Sequence, residues 1–351
     1  MNGWCLIRVR VGCEAKMKRV FCASISASVL TCASVAMAAP VPTLNVATLV
    51  ADSDVVALGT VLAVSDTGPS AYILPSGPIA ARGASADVLV DQILKGPSGV
   101  RSLRVGFVIP DTPIGLGAVS AGTYAVLLLK RDGDHFQFTS PYYPLLGAVP
   151  GARATSNEPL GRVIEILATA LEAPDATQDL KRRAIFELGT SKHAAAVTAL
   201  EGALDDRDET VVLAAAAALL SAGDQTALPV AEKALLAPPP SVAPELLHNL
   251  RVGVFEGMTT EGAIPGLARL LHAMDPETRR AAALALRRTK SPLALQPLAT
   301  ALEDPDVEVT HEVVMGLSEI TGDTRWGPSV PAFRANPERY IAHWKEWRQN
   351  R

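Results

Sequence analysis

Residues 275–288 read DPETRRAAALALRR, and this stretch has the pattern of one helix in a helical repeat. Asp275 is of a type that caps helices, Pro276 suits the first helical position, and Glu277 places an acid where the helix dipole favours one. The alanines and leucines that follow recur at helical spacing. Because their side chains are small, neighbouring helices can approach closely, so the stretch predicts a helix packed among similar helices.

The same pattern recurs over residues 160–325. The segments that match the quoted helix are DLKRRAIFEL (179–188), TVVLAAAAAL (210–219), SVAPELLHNL (241–250), ETRRAAALAL (277–286) and EVTHEVVMGL (308–317). A second set of leucines would end the preceding helix of each unit, namely Leu171, Leu204, Leu236, Leu271 and Leu302. Both sets repeat every 31 to 36 residues. Two helices in a period of this length predict an α-α solenoid of five repeats.

These units resemble HEAT repeats in their short bacterial form. The aspartate of the inter-helix turn is matched at three positions, Asp208, Asp275 and Asp306. The arginine that the family carries four residues later is present only as Arg279, since Val212 and Thr310 stand at the other matching positions. The resemblance therefore implies the solenoid fold and a surface for binding protein or peptide, with few links between stacked aspartates and arginines.

Residues 1–38 predict a secretory signal peptide. Lys16, Lys18 and Arg19 precede an uncharged apolar stretch, residues 20–35, and residues 36–38 read Ala-Met-Ala, which suits cleavage. The apolar stretch is short for a membrane span, so a retained anchor is the less favoured alternative. We expect a periplasmic or secreted protein without stable membrane insertion after cleavage.

Two further features of this leader bear on its interpretation. Cys32 follows Thr31, a poor match to a lipoprotein signal, so we do not expect lipid attachment. Met17 precedes two basic residues and is an alternative start to Met1.

Cysteine usage and charge restrict the function. All four cysteines lie in the leader, at Cys5, Cys13, Cys22 and Cys32, so the remaining chain has neither disulfides nor a thiol nucleophile. Removal of residues 1–38 reduces the 32 basic and 36 acidic residues to 27 and 35, a net charge of −8. This balance argues against nucleic acid and anionic lipid as partners.

Residues 39–140 predict a small β domain, a five-stranded barrel or sandwich, after a short helix at 43–51. The predicted strands are 54–66, 87–95, 103–109, 124–130 and 136–138, and the predicted loops include 66–83 and 115–122. Three stretches, ADSDVVALGTVLAVS (51–65), VDQILKG (90–96) and AGTYAVLLLKRDGDHFQF (121–138), resemble the domain of tissue inhibitors of metalloproteases and netrins. That resemblance implies an oligonucleotide/oligosaccharide-binding-like barrel. It does not imply protease inhibition, because no cysteine remains after cleavage.

The sequence therefore predicts a multidomain α+β protein, a small β-barrel or sandwich followed by the solenoid. Residues 141–159 predict a linker rich in proline, and residues 326–351 predict a C-terminal helix. Asn336 can cap that helix, and Trp344 and Trp347 share one of its sides. We expect the helix to cap the last repeat, and a partner-binding aromatic helix is the alternative.

Catalytic motifs are missing from the sequence. It contains no nucleophile elbow, phosphate-binding loop, dinucleotide-binding motif or zinc-binding His-Glu-x-x-His, and its histidines stand singly. The acids at 205–209 lack the glycine and terminal glutamate of a calcium loop. We therefore expect a non-enzymatic protein without cofactor or metal.

The favoured hypothesis is a scaffold or adaptor that binds protein or peptide through the outward face of the second helices. Counting from the terminal leucine of each segment predicts a set with an apolar centre edged by basic groups: Arg182, Phe186, His248, Arg251, Arg280, Leu284, Arg287, His311 and Met315. The same count includes Leu213, Ala217 and Pro244. These positions would alternatively pack against the β domain.

A second hypothesis places a ligand or glycan site, and even an enzymatic one, in the β domain. The loop at 66–83 would then cover a pocket formed with Asp87, Asp91 and Arg131. A third possibility is a purely structural role, in which both domains form one rigid body.

Overall fold

A computed structural model describes residues 42–350. The predicted signal peptide and its cysteines therefore lie outside the described residues. The strands are β1 (Val55–Leu74), β2 (Gly77–Lys95), β3 (Ser102–Pro110), β4 (Tyr124–Asp132), β5 (His135–Phe138) and β6 (Leu145–Gly147). The helices are α1 (Val46–Asp52), α2 (Pro159–Glu172), α3 (Gln178–Gly189), α4 (Ala194–Gly202), α5 (Glu209–Ser221), α6 (Leu228–Leu236), α7 (Pro244–Gly257), α8 (Ile264–Leu270), α9 (Pro276–Thr289), α10 (Leu295–Thr300), α11 (Val307–Thr321), α12 (Val330–Ala335) and α13 (Pro337–Gln349).

The six strands form one mixed sheet in the order β1-β2-β3-β5-β4-β6, with an additional pairing of β1 with β4. The parallel pairing of β3 with β5 covers only two residue pairs, Val105 with Phe136 and Gly106 with Gln137. The sheet is therefore not a complete barrel. The expected layout, a β region followed by a helical solenoid, is confirmed.

The predicted loop at residues 66–83 is wrong. Residues 55–74 and 77–95 pair with each other along their length, so this stretch extends β1 and β2 into a long hairpin. Gly68 has a φ of 107° and stands at a register shift, and Pro69 lies in the outer part of β1, where it pairs only with β2. Glycine and proline are tolerated at bulges and exposed strand edges, so here they do not mark a loop.

The central strands are buried on both faces, which explains their continuous apolar sequence. Along β4, Leu127 and Leu129 belong to the core of the sheet, whereas Val126 and Leu128 pack into the core that continues through the helices. Successive side chains of a strand point to opposite faces, so one strand contributes to both cores. The β region and the solenoid therefore share one continuous apolar core.

The segment predicted as a linker is packed and paired. It contains β6, whose residues 145–147 pair with β4. Gln92 donates to the carbonyl of Ala154 at 2.7 Å and accepts from its N–H at 3.1 Å. The segment is therefore held against the sheet, because its leucines and alanines have an apolar surface to cover.

The helices after residue 159 form successive antiparallel pairs. In the pairs α2/α3, α4/α5, α6/α7, α8/α9 and α10/α11, the second helices contact one another in sequence from α3 to α11. Asp208, Asp275 and Asp306 accept hydrogen bonds from backbone N–H groups at the starts of α5, α9 and α11. The aspartates of the sequence pattern thus act as helix caps.

The C-terminal helix α13 packs against α10, α11 and α12. Trp344 is fully buried, and its indole N–H donates to the carbonyl of Trp326 at 3.3 Å. Phe333 is buried beside His311, with ring centres 5.3 Å apart. The last repeat is therefore covered on one side by aromatic side chains.

Candidate binding face

The second helices form two adjoining hollows on their exposed side. The first, here called the apolar hollow, has a volume of about 430 Å³ and lies on α3, α5 and α7. Its lining consists of Arg182, Ile185, Phe186, Gly189, Thr190, Ala214, Ala217, Ala218, Ser221, Leu246, Asn249 and Val252. Phe186 is 55% exposed, so a large aromatic side chain stands open to solvent at its edge.

Small residues on α5 create the apolar hollow. Ala214, Ala217 and Ala218 leave space beside Phe186 that larger side chains would fill. A Cβ atom built on Gly257 of α7 would lie only 1.6 Å from the carbonyl oxygen of Leu220. Glycine is therefore required there for α7 to approach α5 so closely, and the close approach brings α7 alongside the hollow.

The second hollow, here called the basic hollow, has a volume of about 590 Å³ and lies on α7, α9 and α11. It is lined by Phe255, Thr259, Leu284, Arg287, Arg288, Lys290 and Glu319. Helix α7 contributes to both hollows, first Leu246, Asn249 and Val252 and then Phe255. The two hollows therefore follow one another along α7. Together they are called the second-helix face.

Two cations of the basic hollow are held by local structure. The Arg288 guanidinium lies 4.9 Å from the centre of the Phe255 ring and donates to the Phe255 carbonyl at 3.0 Å. Lys290 ends α9 in the left-handed conformation, with a φ of 51°. A cation over an aromatic ring gains favourable electrostatic energy, and its position is fixed without an acid.

Arg287 belongs to a charged network on α9 and α11. It donates to Glu312 at 2.8 Å and to Glu319 at 2.5 and 2.8 Å. Burial alone would raise the pKa of Glu312, but His311 and Arg287 lower it. The Glu312 carboxylate, 3.8 Å from Nδ1 of His311, raises the pKa of that histidine. The network therefore connects the basic hollow to the segment beneath the C-terminal helix.

The predicted site residues fall into two groups. Four of them line the hollows: Arg182, Phe186, Leu284 and Arg287. His248 is exposed on α7 without lining either hollow. Arg280 lies on α9 four residues before Leu284, and its Nε is buried without an acceptor within the described residues.

Three predicted residues serve the packing of the repeats instead. Arg251 donates to Asp275 of the next repeat at 3.0 Å, with 22% of its side chain exposed. His311 is buried and its Nε2 lies 3.1 Å from the carbonyl of Pro328, so it does not lie on an exposed face. Met315 is half-buried near Gly327.

Sequence reasoning missed several lining residues on α7. Asn249 and Val252 line the apolar hollow, whereas the count from Leu250 predicts His248 and Arg251. Each miss is one position along the helix, which rotates the predicted face by about 100°. The prolines at 238–240 and the longer spacing after Leu250 were the signals that this repeat departs from the common phase.

The β region does not cover the second-helix face. Its contact with the second helices is made by β6 on α3, where Arg183 donates to the Leu145 carbonyl and the Gly147 N–H donates to Glu187 at 2.9 Å. Burial raises the pKa of Glu187 despite its partner Arg183. These residues lie beside Arg182 and Phe186 in sequence but are not part of the apolar hollow.

The alternative site in the β domain lacks its expected polar cluster. Asp87 is paired with Arg104 at 2.7 Å, and the Arg131 guanidinium lies 5.6 Å from the centre of the Phe136 ring. A small pocket of about 200 Å³ exists near Tyr72 and Phe107, and neither Asp91 nor the two other predicted residues line it. The geometry thus does not assemble the predicted ligand site.

The largest hollow, about 910 Å³, lies on the opposite edge of the first two repeats. Its charged groups bind one another, since Lys181 donates to Asp206 at 2.5 Å and Glu165 accepts from the N–H groups of Thr155 and Ser156. The hydrogen bond from Lys181 lowers the pKa of Asp206. This hollow is therefore a junction between repeats with its polar groups already engaged.

Within residues 42–350, no group of three or more histidine, cysteine, aspartate or glutamate side chains is arranged to hold a metal ion. Over the same range no helix is both long enough and apolar enough to cross a membrane.

Comparison with known proteins agrees with the repeat pattern. Residues 164–251 and 260–333 match the family of HEAT repeats. The solenoid of this chain is therefore built from HEAT repeats. The comparison with curated proteins returned no match.

Three solved structures illustrate the resemblance. An engineered protein is 20% identical, with 46% of this chain and 80% of that chain covered and a TM-score of 0.32. The complex of CpcE and CpcF of phycocyanin lyase from Nostoc sp. PCC7120 is 19% identical, with 52% and 81% covered and a TM-score of 0.29. Human deoxyhypusine hydroxylase is 19% identical, with 53% and 84% covered and a TM-score of 0.22.

Proposed function

We propose that this protein is a non-enzymatic scaffold that binds a protein or peptide through the second-helix face. The observation that carries the proposal is Phe186, which is 55% exposed at the edge of a hollow made by alanines. Isolated exposed apolar residues are common, but an aromatic side chain beside a concave apolar surface is typical of binding sites. Aromatic anchors in such surfaces contribute much of the binding free energy at interfaces.

We further propose that the scaffold acts outside the cytoplasm, in the periplasm or as a secreted protein. The support is the sequence of residues 1–38, a basic start followed by an apolar stretch and an Ala-Met-Ala site. Mass measurement of the protein recovered from its own cells tests this point. We expect an N-terminus near Ala39, and an intact N-terminus at Met1 or Met17 would contradict it.

We propose the following division of the chain: a signal peptide at 1–38, a β domain at 39–140, a connection at 141–159, five repeats at 160–325 and a cap at 326–351. For the β domain we favour an oligonucleotide/oligosaccharide-binding-like arrangement of the tissue-inhibitor and netrin type. Its support is the cycle of pairings from β1 through β2, β3, β5 and β4 back to β1, with β3 parallel to β5.

Site-specific photo-cross-linking tests the binding function. A photoreactive phenylalanine analogue is placed at Phe186, and in a matched variant at Met274, which is 92% exposed on an inter-helix turn. We expect the analogue at position 186 to form a cross-link to a polypeptide in the native cell fraction, and the analogue at 274 to form none in common with it. Identical products from both positions, or none from position 186, would overturn the proposal.

A further inference from the structure

The cations of the basic hollow outnumber its acids. Arg287, Arg288 and Lys290 line it together with one acid, Glu319, and this acid already accepts hydrogen bonds from Arg287. Arg288 and Lys290 form no ion pair with any described residue. Two positive charges of α9 and its C-cap are therefore uncompensated at the surface.

Arg280 adds a third cation on the same helix. It precedes Leu284 by four residues, and residues at this spacing lie on the same face of a helix. Its Nε is buried without an acceptor within residues 42–350, and it forms no ion pair there. A buried donor without an acceptor is unfavourable, so a bound carboxylate would satisfy a group that the described chain leaves unsatisfied.

The surroundings of these cations are apolar. Leu284 and Phe255 line the same hollow, and along α7 the surface continues through Val252 into the apolar hollow with Phe186. The whole chain carries a net charge of −4, so the positive charge is a local concentration. A polyphosphate would have no use for the apolar part of this surface.

We propose that the second-helix face takes a polypeptide segment in which carboxylates lie next to apolar side chains. The carboxylates bind at Arg280, Arg288 and Lys290, and an apolar side chain enters the apolar hollow beside Phe186. This inference rests on the proposed function and specifies its partner. Nucleic acid and other polyanions lacking apolar groups are the competing occupants that the test distinguishes.

The test selects peptides from a library of random 12-residue sequences displayed on phage, with the purified full chain as the target. Enriched peptides are synthesised together with versions in which every Glu and Asp is replaced by Gln and Asn. A single-stranded DNA of 12 nucleotides is the polyanion probe. Fluorescence polarisation then gives the dissociation constant of each probe.

Three variants assign the binding to the face. Arg288→Glu/Lys290→Glu reverses the uncompensated charges, and Phe186→Asp removes the aromatic anchor. Arg101→Glu/Lys130→Glu makes the same change of charge on two exposed β-region cations, neither of which forms an ion pair with a described residue. It is therefore the matched control. Circular dichroism confirms that each variant is folded.

We expect the enriched peptides to be acidic, with loss of about tenfold or more in affinity on amide replacement or in Arg288→Glu/Lys290→Glu. The Arg101→Glu/Lys130→Glu control should bind within about twofold of wild type. Neutral or basic peptides that need Phe186 but not the cations would overturn this inference and leave the proposed function standing. DNA bound more tightly than any peptide, and independently of Phe186, would overturn the inference as well. Enrichment of no peptide would count against both proposals.

Discussion

The junction of α5 with α7 and the junction of α9 with α11 hold neighbouring repeats together by different means. At the first, Gly257 lets α7 approach the backbone of Leu220, and Val212 stands where a cation would link the repeats. At the second, Arg279 donates two hydrogen bonds to Asp304, at 2.7 and 2.9 Å. Close packing of small residues leaves an apolar surface, whereas ion pairing leaves additional cations. The difference between the two hollows follows from the way each junction is built.

The ion-paired junction is expected to be the more sensitive to a single substitution. Asp304→Ala removes both acceptors of Arg279, whose side chain is only 11% exposed, and leaves a buried cation without its partner. We expect a loss of about 3 kcal/mol in the free energy of unfolding, measured by urea denaturation. Asp175→Ala, at an exposed turn, is the control and should change it by less than about 0.5 kcal/mol. Equal effects of the two substitutions would show that the link is not structural.

The close-packed junction is tested by adding one methyl group. Gly257→Ala would place a Cβ atom 1.6 Å from the Leu220 carbonyl oxygen, so the two helices must separate. We expect a loss of about 2 kcal/mol in the same denaturation measurement. Gly202→Ala in α4 meets no atom within 4 Å and should be neutral or stabilising. Tolerance of alanine at both positions would contradict the requirement for close approach.

Arg251 separates packing from binding. Arg251→Met breaks the ion pair with Asp275, in which the two side chains are 22% and 37% exposed, and retains most of the apolar stem. We expect a loss of about 1 kcal/mol in unfolding free energy. The affinity for a selected peptide should remain unchanged, and a clear loss of affinity would return Arg251 to the binding face.

The smallest expected effect is a pH dependence at the ion-paired end. The pKa of His311 is raised by Glu312, so the stability it contributes is present below the unfolded pKa of about 6.5 and is lost as pH rises through the folded pKa. The other charged groups facing it are Glu308 and, beyond Glu312, Arg287. The described tryptophans all lie at 326–347, so their fluorescence reports unfolding of this end.

We expect wild-type stability to fall between pH 6 and pH 8 relative to His311→Gln, because only the wild type loses a bound proton that stabilises the fold. His248→Gln, at an exposed position, is the control and should follow the wild type. Parallel curves for wild type and His311→Gln would contradict the contribution of His311.

Regular periodicity made the solenoid predictable from the sequence. Leucines at fixed spacing and aspartates before each second helix specify the helix pairs whatever the detailed packing, as Asp275 and Asp306 illustrate. The links between repeats were harder to see, because the partner of Arg279 is Asp304 of the following repeat and not its own Asp275. Lys181 makes the corresponding link to Asp206, so lysine can replace arginine in this role.

The candidate site was predictable only where the helices kept a common phase. Phe186 and Leu284 were found because α3 and α9 follow the repeat, whereas α7 is rotated and presents Asn249 and Val252. In the β region, proline and glycine at 66–83 suggested a loop, although tertiary pairing of β1 with β2 overrides that local preference. Local patterns thus predict elements well, but their relative rotation depends on contacts that no short stretch contains.

The central claim is that the second-helix face, and not exposed apolar surface in general, binds the partner. The most direct test compares the dissociation constants of Phe186→Asp and Met274→Asp for the tightest selected peptide. Both residues are exposed, at 55% and 92%, but only Phe186 borders the apolar hollow. The account predicts that Phe186→Asp weakens binding by about tenfold or more while Met274→Asp stays within about twofold of wild type. Equal weakening by both substitutions, or by neither, would contradict it.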